Sequence, residues 1–471
     1  MNSKYRFLLS NTGLFFISTF SSKFLVFLLM PIYTSVLSPD QFNTVDLMTQ
    51  TANLLIPLVS LGVPNSIIRF GLDKNYSRRG VFTVAALTYT MGFLCLLAFY
   101  PLIVKITYIN QYVRYLYLYL LCSCARTLVQ QFVRARTLTR LYAVDGILAT
   151  VNTLFFVYLY LIKFNMGAMG YILATITADF ISFLFLSIVS GSWKFFSLRK
   201  ATPQLSKEML SYCLPLIPTS IFWWITNVSD HYLVTAIVGA AAGGIYAISY
   251  KIPSIVNLVS TVFTEAWQIS AVKEGQTEHP EEFFTSVFKA YQGIMFMGGA
   301  GLILICKPLV SFMVANEYYE SWRFIPVLIL ATIFSSFSGF LSSIYMVQKD
   351  GKSNLFTMMA GALSNIGMNL ILIPKWGAQG AAIATFISYA IVFVLRARGT
   401  KKFIDINISP LFMAANVGLI GALSFVMIAE IKFWIAISIA LTVAIVAFNF
   451  IPLFTFVKSL LNSLLGRKRK A

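Results

Sequence analysis

Polar and ionisable residues recur every three or four positions inside strongly apolar segments, where such side chains need a reason. A helix through Asp46, Gln50 and Asn53 places all three on one face. A later set shares this spacing: Lys251, Ser254, Thr261, Glu265 and Gln268. Amides and hydroxyls can bind the hydroxyl groups of a ligand, and an ammonium group can bind an anion. The pattern predicts a binding face with no catalytic residue, no metal and no cofactor.

Two lysines lie deep within apolar segments. Lys23 is midway along the first segment, and Lys251 lies about 10 Å below the outer end of another. An ionised side chain at the centre of a membrane helix costs roughly 2.5–3.5 kcal/mol. We therefore expect Lys23 and Lys251 to line a water-filled cavity that attracts an anionic ligand. Arg69 marks the inner end of the second segment and joins the predicted site.

Asp230 and His231 lie at a similar depth, on a helical face shared with Trp223 and Asn227. Two interpretations of the carboxylate are open: a structural ion pair with Lys251, or a site that couples an ion to movement of the ligand. Glu265 is a second candidate for ion coupling. For His231 a packing role is favoured over proton transfer, and for Trp223 packing is an alternative to stacking on sugar rings.

Other charged residues in apolar segments are expected to be structural. Arg126 and Asp179 are both near mid-membrane, and we predict that they neutralise each other. Asp145, Lys289 and Arg396 fall close to the inner ends of their segments, so we predict that these three lie at the membrane interface.

The amino-acid composition indicates that these residues lie within a lipid bilayer. Only 11% of the 471 residues are charged and 58% are hydrophobic, whereas a soluble domain carries roughly 25% charged residues. Apolar runs near twenty residues recur along the chain, each able to cross a bilayer core of about 30 Å. The net charge of +19 lies between these runs, which excludes a nucleic-acid surface. An all-α integral membrane protein is therefore predicted.

Fourteen spans are predicted, and their charged connections set the topology. The tails and even-numbered connections hold 25 of the 36 Lys and Arg, and the odd-numbered connections hold seven. Because positive charge stays on the cytoplasmic side, both termini are predicted to be cytoplasmic. The predicted spans are 11–36, 44–68, 80–103, 113–133, 142–162, 168–190, 209–237, 244–270, 283–306, 323–347, 353–373, 378–395, 408–429 and 433–456.

An internal duplication divides these spans. The pattern G-A-x-G-x-x-x-A-T occurs at 167–175 and again at 377–385, opening the sixth and the twelfth spans. We predict two six-helix bundles as parallel repeats, 1–195 and 209–400, joined by a cytoplasmic linker at 196–208. Two further helices and a basic tail then occupy 401–471. In transporters with parallel repeats the substrate site lies between the halves.

Several stretches resemble a known family. The run 211–274, with LPLIP, SDHY, GIYAISYKIP and EAWQ, resembles the seventh and eighth spans of Wzx-type flippases for O-antigen or capsule repeat units. These flippases belong to the multidrug/oligosaccharidyl-lipid/polysaccharide (MOP) exporter superfamily, which shares the MATE-like fold. The stretches NLILIPKWGAQGAAIATFISY, LSPDQF and LGVPNSIIRF also fit. One departure is Asn43, at or near which relatives commonly have glycine.

The resemblance implies that an undecaprenyl-diphosphate-linked oligosaccharide is flipped from the cytoplasmic to the outer leaflet of the bacterial inner membrane by alternating access. Expected partners are this lipid-linked glycan, the bilayer, a polysaccharide polymerase and other assembly proteins, with no nucleic acid. A lipid II flippase and a MATE-type drug exporter remain alternatives within the superfamily. A membrane glycosyltransferase or polymerase is an alternative outside it.

Overall fold

The structure is a computed structural model that describes residues 27, 29–73, 75–105, 110–274, 280–348 and 350–468. At positions 265, 266, 268–270, 272–274, 280, 452 and 455–468 only the backbone is described. All regular elements in this part of the chain are helices, as predicted. Among the described residues, nine helices are long and apolar enough to cross a membrane, and a bent pair makes ten. The predicted all-α membrane fold is confirmed.

The contacts divide the chain into two compact units, Met1–Trp224 and Ile225–Ala471. The first unit begins with a helical segment at 29–36, here α1. Its later helices are α2 Pro39–Ser60, α3 Val63–Leu72, α4 Arg78–Ala98, α5 Tyr100–Ile103, α6 Val113–Ala135, α7 Thr139–Val157, α8 Gly167–Ser190 and α9 Pro203–Cys213. A π-helical turn, Tyr158–Lys163, follows α7. Helix α10, Leu216–Ile237, continues from this unit into the second.

The second unit contains the remaining helices. Trp322 lies in a 3₁₀ segment, Asn316–Arg323, that precedes α14. The helices are α11 Ala240–Ser249, α12 Pro253–Glu274, α13 Pro280–Met313, α14 Ile325–Val347, α15 Gly351–Thr400, α16 Pro410–Ala429 and α17 Trp434–Lys468. Helices α16 and α17 pack against α13, so the last two predicted spans belong to this unit.

Fewer helices than the fourteen predicted spans are long and apolar enough to cross a membrane in the described part of the chain. Most of the first span lies outside the described residues, and the eighth is divided between α11 and α12. Two further differences lie in α15 and α6. Helix α15 is 50 residues long and contains the predicted eleventh and twelfth spans, which meet at a non-helical Gly377. Helix α6 corresponds to the fourth span, but its three arginines and two glutamines lower its hydropathy.

The duplicated glycines have matching geometry. Gly167 and Gly377, which open the two copies of the repeat, both adopt a left-handed backbone with φ of 57°. The next glycine in each copy, Gly170 or Gly380, faces a backbone carbonyl of the preceding span, from Tyr160 or Leu372 respectively. A Cβ atom at either position would collide with that carbonyl, so glycine is required for the close turn. The repeat therefore encodes the same tight connection in each unit.

The region of the predicted linker, 196–208, contains the start of α9. Helix α9, which begins in that region, packs against α3, and a Cβ atom added at Gly62 would lie 3.3 Å from the Cys213 carbonyl oxygen. The Tyr76 hydroxyl also donates a 2.8 Å hydrogen bond to Glu208 Oε2. These contacts attach α9 to the first unit, and the predicted linker stays a prediction. The six, six and two grouping of spans stays a prediction.

Candidate functional site

The predicted polar face of the second span forms a connected row on α2. Gln50 Nε2 lies 3.4 Å from Asp46 Oδ1, and Asn53 Nδ2 lies 3.3 Å from Gln50 Oε1. Asp46 is buried, Gln50 is half-buried and Asn53 is exposed. Trp224 Nε1 donates to the Gln50 carbonyl at 2.8 Å. The row therefore offers amide donors and acceptors at one exposed end.

A bend follows this row. Leu61 and Gly62 take left-handed conformations, and α2 and α3 meet at an angle of 50°. Pro57 contributes because it has no amide hydrogen to bond the carbonyl of Asn53. Arg69 lies past the bend, exposed, with its guanidinium carbon 5.8 Å from the centre of the Tyr212 ring.

The eighth span is broken, which corrects the continuous helix predicted over 244–270. Helix α11 ends at Ser249 and α12 begins at Pro253, with a turn between them. The reason is that proline lacks an amide hydrogen and disfavours helical backbone in the residue before it. Lys251 is half-buried within this turn, and its carbonyl accepts a 2.5 Å hydrogen bond from Ser254 Oγ. Lys251 thus lies in the turn between α11 and α12, directly before the start of α12.

The other predicted residues of this span divide into two groups. Thr261 is exposed on α12, where its hydroxyl bonds the Asn257 carbonyl at 2.8 Å. The side chains of Glu265 and Gln268 lie outside the described part of the chain, and so does Lys23. The roles predicted for these three stay predictions.

Asp230 is fully buried in the second unit, and its carboxylate accepts hydrogen bonds from hydroxyl groups. Oδ2 accepts from the hydroxyls of Tyr246 at 2.7 Å, Tyr250 at 2.5 Å and Thr385 at 3.1 Å. Oδ1 accepts from the His231 amide at 3.0 Å. These neutral donors satisfy the carboxylate without neutralising its charge.

Two asparagines extend this network along α15. Asn365 Nδ2 donates to Thr385 Oγ1 at 3.3 Å, and Asn369 Nδ2 donates to Asn365 Oδ1 at 2.9 Å. Both amides are fully buried, and the Asn369 carbonyl oxygen has no hydrogen-bond partner in the described part of the chain. The network joins a carboxylate to amide and hydroxyl oxygens, which are the ligands that hard cations prefer. Sequence reasoning missed these asparagines, although their spacing of four within an apolar span is a usable signal.

The neighbours of Asp230 have different environments. His231 is buried, with its ring centre 4.9 Å from that of Tyr250, which agrees with the predicted packing role. Asn227 Oδ1 accepts a 2.6 Å hydrogen bond from the Tyr389 hydroxyl. Trp223, by contrast, has 55% of its surface exposed. The predicted shared face therefore contains both buried and exposed members.

The predicted Arg126–Asp179 pair is confirmed, with Nη1 2.6 Å from Oδ1. The prediction of an interfacial Asp145 is wrong, because this fully buried carboxylate lies 3.5 Å from Arg126 Nη2. Arg396 is also buried in the protein, with 4% of its surface exposed, and its donors bond Thr357, Ser338 and Asn354. Its predicted position at the membrane interface stays a prediction. Polar groups on neighbouring helices stabilise both residues in the interior, and sequence position alone does not reveal those partners.

Comparison with known proteins identifies the family. Residues 8–268, more than half of the chain, match the family described as polysaccharide biosynthesis protein. A segment of 196 residues is 26% identical to an uncharacterized membrane protein of Methanocaldococcus jannaschii, covering 40% of this chain and 44% of that protein. Another of 217 residues is 21% identical to a probable low-salt glycan biosynthesis flippase of Haloferax volcanii, covering 45% of each. The chain thus spans less than half the length of these curated relatives.

Solved structures share the fold at low identity. The lipid II flippase MurJ, in an inward closed conformation, superimposes with a TM-score of 0.70 at 14% identity, covering 96% of this chain and all of that one. An inward-facing multidrug resistance MATE family transporter of the MOP superfamily gives a TM-score of 0.66 at 12% identity, covering 82% and 94%. The fold is that of MOP-superfamily transporters, and the chain belongs to the polysaccharide biosynthesis protein family.

Proposed function

We propose that this chain is a flippase that moves a lipid-linked oligosaccharide across the membrane by alternating access. The specific substrate proposed is an undecaprenyl-diphosphate-linked repeat unit, loaded from the cytoplasmic face of the bacterial inner membrane for O-antigen, capsule or another surface polysaccharide. Both termini are then cytoplasmic, and a polysaccharide polymerase receives the product. Membership in the polysaccharide biosynthesis family supports this proposal.

Lys251 is the observation on which the proposal rests. Lys251 is half-buried in the turn that interrupts the eighth span, directly before α12. The partial positive charge of the α12 N-terminus adds to that of the lysine. Both favour an anionic group such as a diphosphate. In transporters, discontinuous helices of this kind commonly bind the anionic part of the substrate.

Polar residues in both units have proposed roles toward the glycan. A sugar chain needs donors and acceptors for its hydroxyls, and the exposed amide of Asn53 and the hydroxyl of Thr261 fit that need. Lys23 is proposed to bind the diphosphate together with Lys251. The remaining proposed contacts are Gln50, Arg69, Trp223, Asn227, Asp230, Glu265 and Gln268.

Asp230 supports a second part of the mechanism, the binding of a coupling ion. Its buried charge is surrounded by hydroxyl and amide groups whose oxygens suit a proton or a monovalent cation. Moving about two negative charges out of a negative-inside cell is itself favoured by roughly 4–5 kcal/mol per 100 mV. We therefore propose that an ion at Asp230 is not needed to drive export. It would instead control when the transporter changes conformation and returns to the cytoplasm-facing state.

Reconstitution tests the proposal. Purified protein in proteoliposomes is supplied with undecaprenyl-diphosphate-linked glycans on one face, and the appearance of glycan on the other face is followed with an impermeant glycosidase. We expect transport that requires the protein and the glycan, with no modification of the glycan. Chemical change of the glycan would instead indicate a glycosyltransferase or polymerase. Equal transport of cationic drugs would favour the MATE-type alternative.

A further inference from the structure

A polar cavity lies within the first unit, between the end of α3 and the helix α9. Its volume is about 470 Å³, within the range of small-ligand sites. Its walls include Arg69, Asp73, Tyr76, Lys207 and Glu208. The charge bias of the connections places this end of the unit at the cytoplasmic face. The cavity is therefore on the side where a lipid-linked glycan is assembled.

Aromatic rings hold one wall of this cavity in place. Buried Phe70 has its ring centre 4.9 Å from that of Tyr76 and 6.1 Å from that of Tyr212, edge-on to both. The Arg69 guanidinium lies over the Tyr212 ring. Tyr212 still has 40% of its surface exposed. A fixed, partly exposed tyrosine ring offers the flat apolar surface on which a sugar ring can stack.

The charges of the cavity suit a neutral ligand with many hydroxyls. Arg69 and Lys207 contribute two positive charges, and Asp73 and Glu208 contribute two negative ones, so the walls sum to zero. A phosphate would meet both carboxylates, whereas a sugar hydroxyl can donate to a carboxylate and accept from a guanidinium or ammonium group. The cavity therefore favours a glycan over a phosphate.

Hydrogen bonds preorganise one acceptor. Glu208 Oε2 accepts from the Tyr76 hydroxyl at 2.8 Å, and Glu208 Oε1 accepts from Gln204 Nε2 at 2.6 Å. The pKa of the Tyr76 hydroxyl is raised, chiefly because of this hydrogen bond to the Glu208 carboxylate. Each carboxylate oxygen keeps a further lone pair for a ligand hydroxyl, in a side chain that is already fixed.

An apolar groove in the same unit begins beside this cavity. The groove has a volume of about 580 Å³ and includes Leu58, Leu61, Met91, Leu96 and Leu210 in its walls. Leu210 precedes Ser211 and Tyr212 of the polar cavity on α9. Leu61 lies at the bend between α2 and α3, and Arg69 lies on α3 after that bend. One amphiphilic molecule can therefore place a polar head in the cavity and an apolar chain in the groove.

We propose that this cavity and groove form a loading site on the first unit that binds the glycan and the prenyl chain of the lipid-linked substrate before it reaches Lys251. This inference rests on the proposed flippase function and adds a site at the cytoplasmic face. Recognition here is by the sugar, and the diphosphate is recognised by the lysines. The two sites therefore bind different parts of the same lipid-linked substrate.

Binding without transport tests this site. The full-length protein in nanodiscs is titrated with undecaprenyl diphosphate bearing one N-acetylglucosamine, and separately with undecaprenyl diphosphate without sugar. Tyr212→Ala is expected to weaken binding of the glycosylated lipid about tenfold through loss of stacking. The bare lipid should bind the variant and the wild type equally. Tyr212→Phe is the matched control that keeps the ring, and it should bind like the wild type.

Glu208→Gln provides a second variant that preserves volume. It removes one negative charge and should weaken only the glycosylated lipid, again by about tenfold, through loss of a charged hydrogen bond. Unchanged affinity in both Tyr212→Ala and Glu208→Gln, or equal wild-type affinity for the two lipids, would overturn the loading site. Transport that persists in that case would leave the flippase proposal intact. Sugar-dependent binding without any transport would instead overturn the flippase proposal alone.

Discussion

Arg126 joins two carboxylates inside the first unit, 2.6 Å from Asp179 and 3.5 Å from Asp145. Removing the arginine would leave two buried negative charges without a cation, and breaking a buried pair commonly costs about 3–5 kcal/mol. We expect Arg126→Leu to lower the thermal unfolding temperature in detergent sharply. Arg114→Leu, at an exposed position of the same helix, should leave it near the wild-type value. Equal unfolding temperatures for both variants would contradict a structural role of this triad.

Lys251 is predicted to bind the anionic head of the substrate. Lys251→Ala should abolish transport in proteoliposomes while protein level and membrane insertion stay near normal, because the side chain lies in a turn and not in a helix core. Lys251→Arg should keep measurable transport, since the positive charge remains. Lys375→Ala removes an exposed lysine of the same unit and should transport at the wild-type rate. Lys23→Ala is predicted to behave like Lys251→Ala, and wild-type rates in both would refute the cationic cavity.

The sequence predicted the features whose geometry one helix determines, and it missed those that depend on contacts with a neighbouring helix. The row from Asp46 to Asn53 was predictable because one helix sets its geometry. The break at Lys251 was missed, although Pro253 marks it, because the hydropathy of the region is continuous. Asp145 was placed at the interface because its partner, Arg126, lies on another span. Periodicity reports the face of a residue along its own helix but not which side chains meet it there.

The fold itself was largely predictable, for a related reason. Long apolar segments in lipid must be helical, so span positions follow from hydropathy without tertiary information. The matching left-handed glycines, Gly167 and Gly377, were visible as a repeat of sequence letters. The division at Trp224 was not predictable, because it depends on α9 packing against α3.

Asp230 and His231 are adjacent but are expected to behave differently. The Asp230 carboxylate carries the charge of the buried network, so Asp230→Asn should make transport insensitive to imposed sodium and proton gradients. A loss of roughly 1.4 kcal/mol in ion binding already lowers ion affinity tenfold. His231→Gln should retain the response, because the histidine ring packs against Tyr250. Transport rates with and without each gradient measure this. A gradient response retained in Asp230→Asn would contradict ion binding at this carboxylate.

Lys307 and Glu430 form an ion pair in the second unit. The Lys307 ammonium is 2.5 Å from Glu430 Oε1 and 4.0 Å from the ring centres of Trp322 and Trp434. Lys307 is buried, whereas the Glu430 side chain is 56% exposed. The pKa of Glu430 is lowered, chiefly by the hydrogen bond from Lys307 and secondly by the positive charge of Lys307.

The lowered pKa of Glu430 gives a pH dependence of definite sign. Its contribution to stability is present above the unfolded pKa, about 4.3 for glutamate, and is lost as the pH falls through the lower folded value. The thermal unfolding temperature of the wild type should therefore fall below pH 4. Glu430→Gln should already have a reduced unfolding temperature at pH 7, because it leaves the buried ammonium without its carboxylate. Its further decline with acid should be smaller than that of the wild type. Glu317→Gln changes an exposed glutamate of the same unit, in the segment Asn316–Arg323, and should follow the wild-type profile. Identical profiles for all three proteins would show that the pair contributes nothing.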